Sequence, residues 1–135
     1  MATFALELVT PERVLFSEEV QAVRAPGING SLGILARHAP MLTELTTGLI
    51  KLTLANGFEA FIATSGGFME VSRNKVIILA DAAELSEEID VDKARLAADR
   101  ARKLLEVPDG SIDAEALRKE LDHAENLIRV AQMRH

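Results

Sequence analysis

The chain has 135 residues, of which 48% are apolar and 27% charged, the composition of a soluble globular protein with room for one or two small domains. Fifteen basic side chains against 21 acidic ones leave a formal charge of −6, which disfavours binding to a nucleic-acid backbone. Cysteine is absent, and this excludes disulfides, thiol catalysis and Cys-ligated zinc or iron–sulfur centres.

No segment reads as a membrane span or a leader. The longest uncharged run, Ala25 to Ala36, is twelve residues, too short to cross a bilayer. Glu7, Glu12 and Arg13 interrupt the N-terminus where a signal peptide would need an apolar stretch, so the chain is expected to stay in the compartment where it is made.

The first half predicts short strands. Phe4 to Val9 alternates around Glu7, and Thr10-Pro11-Glu12-Arg13 is a turn with proline fixing φ. Val14 to Ala25 is a longer strand interrupted at Ser17-Glu18-Glu19, and Ala25-Pro26-Gly27 and Asn29-Gly30 act as breakers. Leu49–Leu54 and Phe58–Ala63 predict a hairpin across Ala55-Asn56-Gly57. Gly67–Val71 and Lys75–Leu79 predict a second across Ser72-Arg73-Asn74. Thr64-Ser65-Gly66-Gly67 reads as a bend between strands that needs small residues.

Composition changes near residue 84. Seven of the eight glycines and all five phenylalanines precede it, and the remainder is rich in Ala, Leu and charge. Residues 1–84 are expected to form an antiparallel β-sandwich or barrel, and residues 85–135 an antiparallel two-helix hairpin, an α+β architecture. The first helix would carry Ala94, Ala97, Ala98, Ala101, Leu104 and Leu105 on one face. Val107-Pro108-Asp109-Gly110-Ser111 would turn the chain. In the second helix, Ala114, Leu117, Leu121, Ala124, Ile128 and Ala131 make a narrow stripe suited to a single partner helix.

Catalytic chemistry finds little support in these residues. His38, His123 and His135 have no metal-binding spacing, and Ser65 lacks the G-x-S-x-G frame of a nucleophile elbow. The glycine-rich run Gly27–Gly33 lacks the P-loop pattern. Asp90 is a good helix N-cap, and Lys93 and Arg100, seven apart, share a helix face that could hold a phosphate tail.

More specific signals lie in two segments. Gly30-Ser31-Leu32-Gly33-Ile34-Leu35-Ala36-Arg37-His38-Ala39-Pro40-Met41-Leu42-Thr43 resembles a signature of the epsilon-subunit family of F-type ATP synthases. Ser65–Val71, followed by Leu79–Glu84, resembles its second signature, and Val9–Arg13 and Leu127–Ala131 are similar too. The resemblance covers about residues 4–131. It implies a non-catalytic rotor subunit of a proton-translocating synthase, peripheral on the cytoplasmic face of a bacterial membrane. The β domain would bind the gamma subunit and touch the c-ring through the segment holding Ser31 and His38. The helical hairpin would lie on the β domain or extend along gamma into the alpha–beta head and hinder ATP hydrolysis. Arg118, Lys119 and Arg129 would then face the beta subunit. The family's ATP-binding motif is similar to Ile89-Asp90-Val91-Asp92-Lys93-Ala94, with lysine in place of arginine. It implies regulatory ATP held by Glu84, Asp90, Lys93, Ala94 and Arg100, more weakly by about 1–2 kcal/mol for want of a bidentate guanidinium. No required cofactor is implied. The alternatives are a stand-alone β-sandwich binding module and a small enzyme using Ser65 or His38.

Overall fold

Strict alternation of apolar and polar side chains produces the first strand, β1 (Phe4–Val9), which turns Phe4, Leu6 and Leu8 inward. The computed structural model describes residues 2–107, 110 and 112–133. Pro108, Asp109 and Ser111 of the expected helix–helix turn, and His135, lie outside them.

Six more strands follow: β2 (Val14–Gly27), β3 (Gly30–Leu35), β4 (Met41–Leu54), β5 (Glu59–Val71), β6 (Lys75–Ala80) and β7 (Ala83–Leu85). They bond in the order β1-β6-β5-β4-β2, and β2 returns to β1, so the sheet closes on itself. Closure hides the long strand edges that would otherwise invite aggregation. Two strands each serve two partners along one edge. The first part of β2 bonds β1 and its second part bonds β3. In the same way β5 bonds β7 through Ile62–Thr64 and β6 through Gly67–Val71.

Several of these elements differ from their sequence expectation. Ser17-Glu18-Glu19 do not interrupt β2, because they pair with Glu7, Leu6 and Ala5 and face solvent. The breakers at Gly27 and Gly30 form the tight β2–β3 turn, and Gly30–Leu35 is a strand that the sequence signals did not mark. β4 begins at Met41 instead of Leu49. β5 runs unbroken through Thr64–Gly67, bending where Gly66 and Gly67 adopt φ of 89° and 125°. Pairing is antiparallel throughout except between β1 and β6, which are parallel.

The barrel interior is filled by Phe4, Leu6, Leu8, Val20, Val23, Ile50, Leu52, Ile62, Met69, Val76 and Ile78, all buried. A single 3-10 turn, Ser86–Glu88, leads into α1 (Val91–Glu106). Asp90 caps α1 by accepting from the Lys93 N–H at 3.1 Å. Asp113 caps α2 (Ala114–Ala131) by accepting from the Ala116 N–H at 3.1 Å. Each cap satisfies one of the four N–H groups that a helix start leaves unpaired.

The two helices pack on each other. Ala94, Ala98 and Ala101 are buried on α1, and Leu117 and Ala124 on α2. Ala97, expected on the same face, is exposed. It lies about 60° around the helix from Ala94, on the edge of the contact.

Candidate functional site

Helix α2 has two buried faces, where its sequence pattern predicts one. Besides the stripe toward α1, it seats Val130 and Ala131 on the outside of the barrel, with Ala63 and Ile89. Half-buried Leu49, Phe61, Val91 and Leu127 complete this second, small apolar cluster. Asn126 sits beside it, fully buried. Its amide nitrogen donates to the Gly48 carbonyl at 2.8 Å and toward the Thr64 carbonyl at 3.4 Å. Those two residues face each other across β4 and β5. The Asn126 oxygen accepts from Arg129 Nη2 at 2.7 Å. Periodicity could not reveal this face, because its central residue is polar and is read as solvent-facing.

One turn earlier on α2, His123 lies over the end of β6 and the start of β7. Its Nδ1 is buried without a hydrogen-bond partner. Burial pushes its pKa below the usual histidine value, and the nearby Glu84 carboxylate opposes this less strongly. His123 and Asp81 line two adjoining clefts. The larger, about 800 Å³, runs between α2 and the β4–β5 bend, bordered by Thr46, Ser65, Lys119 and Arg129. The smaller, about 180 Å³, also holds Arg13 and Glu84.

The residues expected to hold a nucleotide are spread over β7 and α1. Glu84 is half-buried on β7. Asp90 uses its carboxylate as the α1 cap, Lys93 is exposed on the first turn and Ala94 is buried beneath it. Arg100 lies on an outer groove of α1 with Leu96 and Lys103, and makes a 3.8 Å ion pair with Glu120 of α2. Glu84 and Arg100 thus line different clefts.

The segment holding Ser31 and His38 divides. Ser31 is exposed on β3 beside the β2–β3 turn, where Ile28 is also exposed. His38 turns inward. Nδ1 meets the Leu35 carbonyl, Nε2 lies 2.8 Å from the Ser72 carbonyl, and the ring edge packs on Phe4 at a centroid distance of 5.1 Å. A ring held between two acceptors ties the β3–β4 connection to the β5–β6 turn. On α2, Arg118 and Lys119 are exposed, and Lys119 lies 3.9 Å from Glu115. Arg129 is engaged with Asn126.

Another surface was not anticipated. Val9, Leu79 and Phe68 are neighbours across β1, β6 and β5, on the outer face of the barrel. Leu79 is 55% exposed and Phe68 50%. Ile77 extends this strip, and exposed Leu42 lies diagonally from Phe68 on β4. Glu44 and Glu70 flank it across the strands, and an exposed apolar strip of this kind is a candidate contact surface.

Residues 3–86, the barrel and the turn after it, match the family described as ATP synthase, Delta/Epsilon chain, beta-sandwich domain. The whole chain aligns as well. It is 43% identical over 131 residues to the ATP synthase epsilon chain of Syntrophomonas wolfei, covering 97% of this chain and 96% of that one. The chain belongs to the ATP synthase epsilon chain family. The epsilon chain of Carboxydothermus hydrogenoformans is 53% identical over 100 residues, 74% of each chain. Among solved structures, a chain of the Euglena gracilis mitochondrial ATP synthase superposes with a TM-score of 0.81 at 28% identity, over 94% of this epsilon chain and 80% of its own length. A Tetrahymena thermophila central-stalk structure, 16% identical with a TM-score of 0.58, shares the fold. As an epsilon chain the protein is a component of the ATP synthase, and this sets aside the stand-alone module. Among its described residues no helix is long and apolar enough to cross a membrane.

Proposed function

We propose that this epsilon chain is a non-catalytic rotor subunit of the central stalk, with a barrel that seats on the gamma subunit and c-ring and a hairpin that restrains ATP hydrolysis. The observation that carries the reading is the exposed strip Val9–Leu79–Phe68 with Leu42, on a barrel that is otherwise internally complete. An apolar strip of aromatic and aliphatic side chains suits a long-lived subunit contact. The gamma subunit is its proposed occupant. Ser31 and Ile28, at the β2–β3 turn, and His38, which ties the β3–β4 connection to the β5–β6 turn, are the proposed c-ring side.

In this reading the hairpin leaves the barrel and extends into the alpha–beta head. Exposed Arg118 and Lys119, and Arg129 once released from Asn126, meet an acidic segment of the beta subunit. ATP held by Glu84, Asp90, Lys93, Ala94 and Arg100 would favour the folded hairpin in proportion to its concentration over its dissociation constant. The subunit would sit on the cytoplasmic face of a bacterial membrane, attached through the complex.

The test is ATP hydrolysis by the alpha–beta–gamma head alone, with the full chain, and with a chain ending at Glu88, which retains β7 and the Arg13–Glu88 ion pair. Inhibition by the full chain, and binding without inhibition by the shorter one, supports the reading. Binding by both without inhibition removes the brake. Failure of both to bind removes the gamma contact.

A further inference from the structure

The hairpin could rest on the barrel through apolar contact alone, yet the centre of its footprint is an amide. Asn126 is fully buried, and both of its ends are used. The nitrogen reaches two main-chain carbonyls on adjacent strands, Gly48 of β4 and Thr64 of β5. The oxygen is held by Arg129, one turn along the same helix. Apolar neighbours such as Val130 and Ala131 tolerate a helix that slides or rolls, because dispersion contacts are not directional. Two carbonyls that must be reached by one planar amide are not so tolerant. We infer that Asn126, oriented by Arg129, sets the register in which α2 docks on the barrel and acts as the latch of the hairpin.

The chemistry explains why an amide serves here. Docked, the amide supplies a further donor to two carbonyls of the β4–β5 ladder, and its own N–H groups are satisfied there. Undocked, Asn126, Gly48 and Thr64 are all rehydrated, so the net contribution is modest and the contact remains reversible. A leucine would strengthen apolar contact in any register and make no directional bond to either carbonyl. Arg129 contributes by fixing which end of the amide faces the sheet: a guanidinium only donates, so it selects the oxygen and turns the nitrogen inward. Arg129 is therefore a positioning residue that acts through Asn126. This deepens the hairpin reading above, on which its consequence for ATP hydrolysis rests. The guanidinium proposed to meet the beta subunit is the one that holds the latch, so it cannot do both at once.

The test is hydrogen exchange by mass spectrometry on the full chain, following α2 amides with the barrel strands as internal reference. Asn126→Ala is expected to speed exchange across α2 by about tenfold, the scale of a lost buried hydrogen bond, with β1, β5 and β6 unchanged. Arg129→Ala should speed it less, Arg129→Lys should restore much of the protection, and Arg129→Ala added to Asn126→Ala should change nothing further. Asn126→Asp supplies a readout that a packing role would not move. The carboxylate, beside the Arg129 guanidinium, offers no donor to the carbonyls at neutral pH and regains one on acidification. Protonation of His123 on the same helix loosens the parent too, so the readout is the difference in α2 protection between Asn126→Asp and the parent at each pH, which should shrink toward pH 4. Unchanged α2 exchange in Asn126→Ala and Asn126→Asp overturns the latch. So does an equal change in the barrel, or an additive effect of the two alanines. The same variants added to the alpha–beta–gamma head test the brake separately: altered exchange without altered hydrolysis leaves the latch standing and removes the braking role.

Discussion

Gly67 of β5 lies so close to Leu79 of β6 that a Cβ at position 67 would run into the Leu79 carbonyl oxygen and stand 2.8 Å from the Ala80 Cα. The backbone there has φ of 125°, a conformation that side chains strain to adopt. Gly67→Ala is expected to lower unfolding free energy by about 3 kcal/mol or more, from strain and displaced backbone together. Urea unfolding should show a lower midpoint at unchanged slope.

His123 gives stability an acid-side dependence. Its pKa in the folded chain is pushed down by burial, while in the unfolded chain it returns to the ordinary histidine value near 6.5. Between those two values the unfolded chain binds the extra proton, so stability is lost as pH falls through that window. His123→Gln should remove the dependence. Comparing melting temperatures of the two proteins at pH 7.5 and pH 5.5 checks this: the parent should lose more than the variant.

The apolar strip can be tested against its proposed occupant. Phe68→Ser and Leu79→Lys place polar groups where the side chains are already half exposed, so folding stability should change by about 0.5 kcal/mol or less. Binding to a gamma-containing head should weaken by about ten- to a hundredfold each, the range for a central anchor of an interface. A surface titration with matched melting curves separates the two effects.

Lys93 offers a gain-of-function test of the nucleotide reading. Lys93→Arg restores a planar fork for phosphate oxygens and should tighten ATP binding by about tenfold. Asp90→Ala should abolish it and also weaken α1 by about 1 kcal/mol through loss of the cap. Calorimetric titration of the isolated chain at millimolar ATP, with no heat for either the parent or Lys93→Arg, would reject the reading.

What the sequence conveyed was local, and what it concealed was relational. The alternation at Phe4–Val9, the cap Asp90, and the alanine line of α1 each act over a few residues, and each could be read directly. Glycines were harder. Gly27, Gly48, Gly66 and Gly67 resemble strand ends, but in a small closed barrel they are where long strands bend or come close, as Gly48 does against Pro26. The three residues of β7 are too few to show a period. The β1–β6 parallel pairing joins residues some seventy positions apart, which no window of sequence contains. For the candidate site, the family signatures named segments and not the contacts their side chains make. They did not reveal that His38 faces inward, or that Asn126 is the buried polar contact of α2, because both depend on carbonyls contributed by distant strands.

The β1–β6 pairing also orders events in time. β1 has one partner at hand in β2, but its other edge stays open until β6 has been synthesised. The ring therefore closes only after about eighty residues have left the ribosome, and closure of such a non-local pair is expected to be the slow step of folding. The helices need no such wait, since each forms from neighbours in sequence. By the time α2 emerges, β4 and β5 are already joined, and the carbonyls of Gly48 and Thr64 stand ready as a template onto which the last helix condenses.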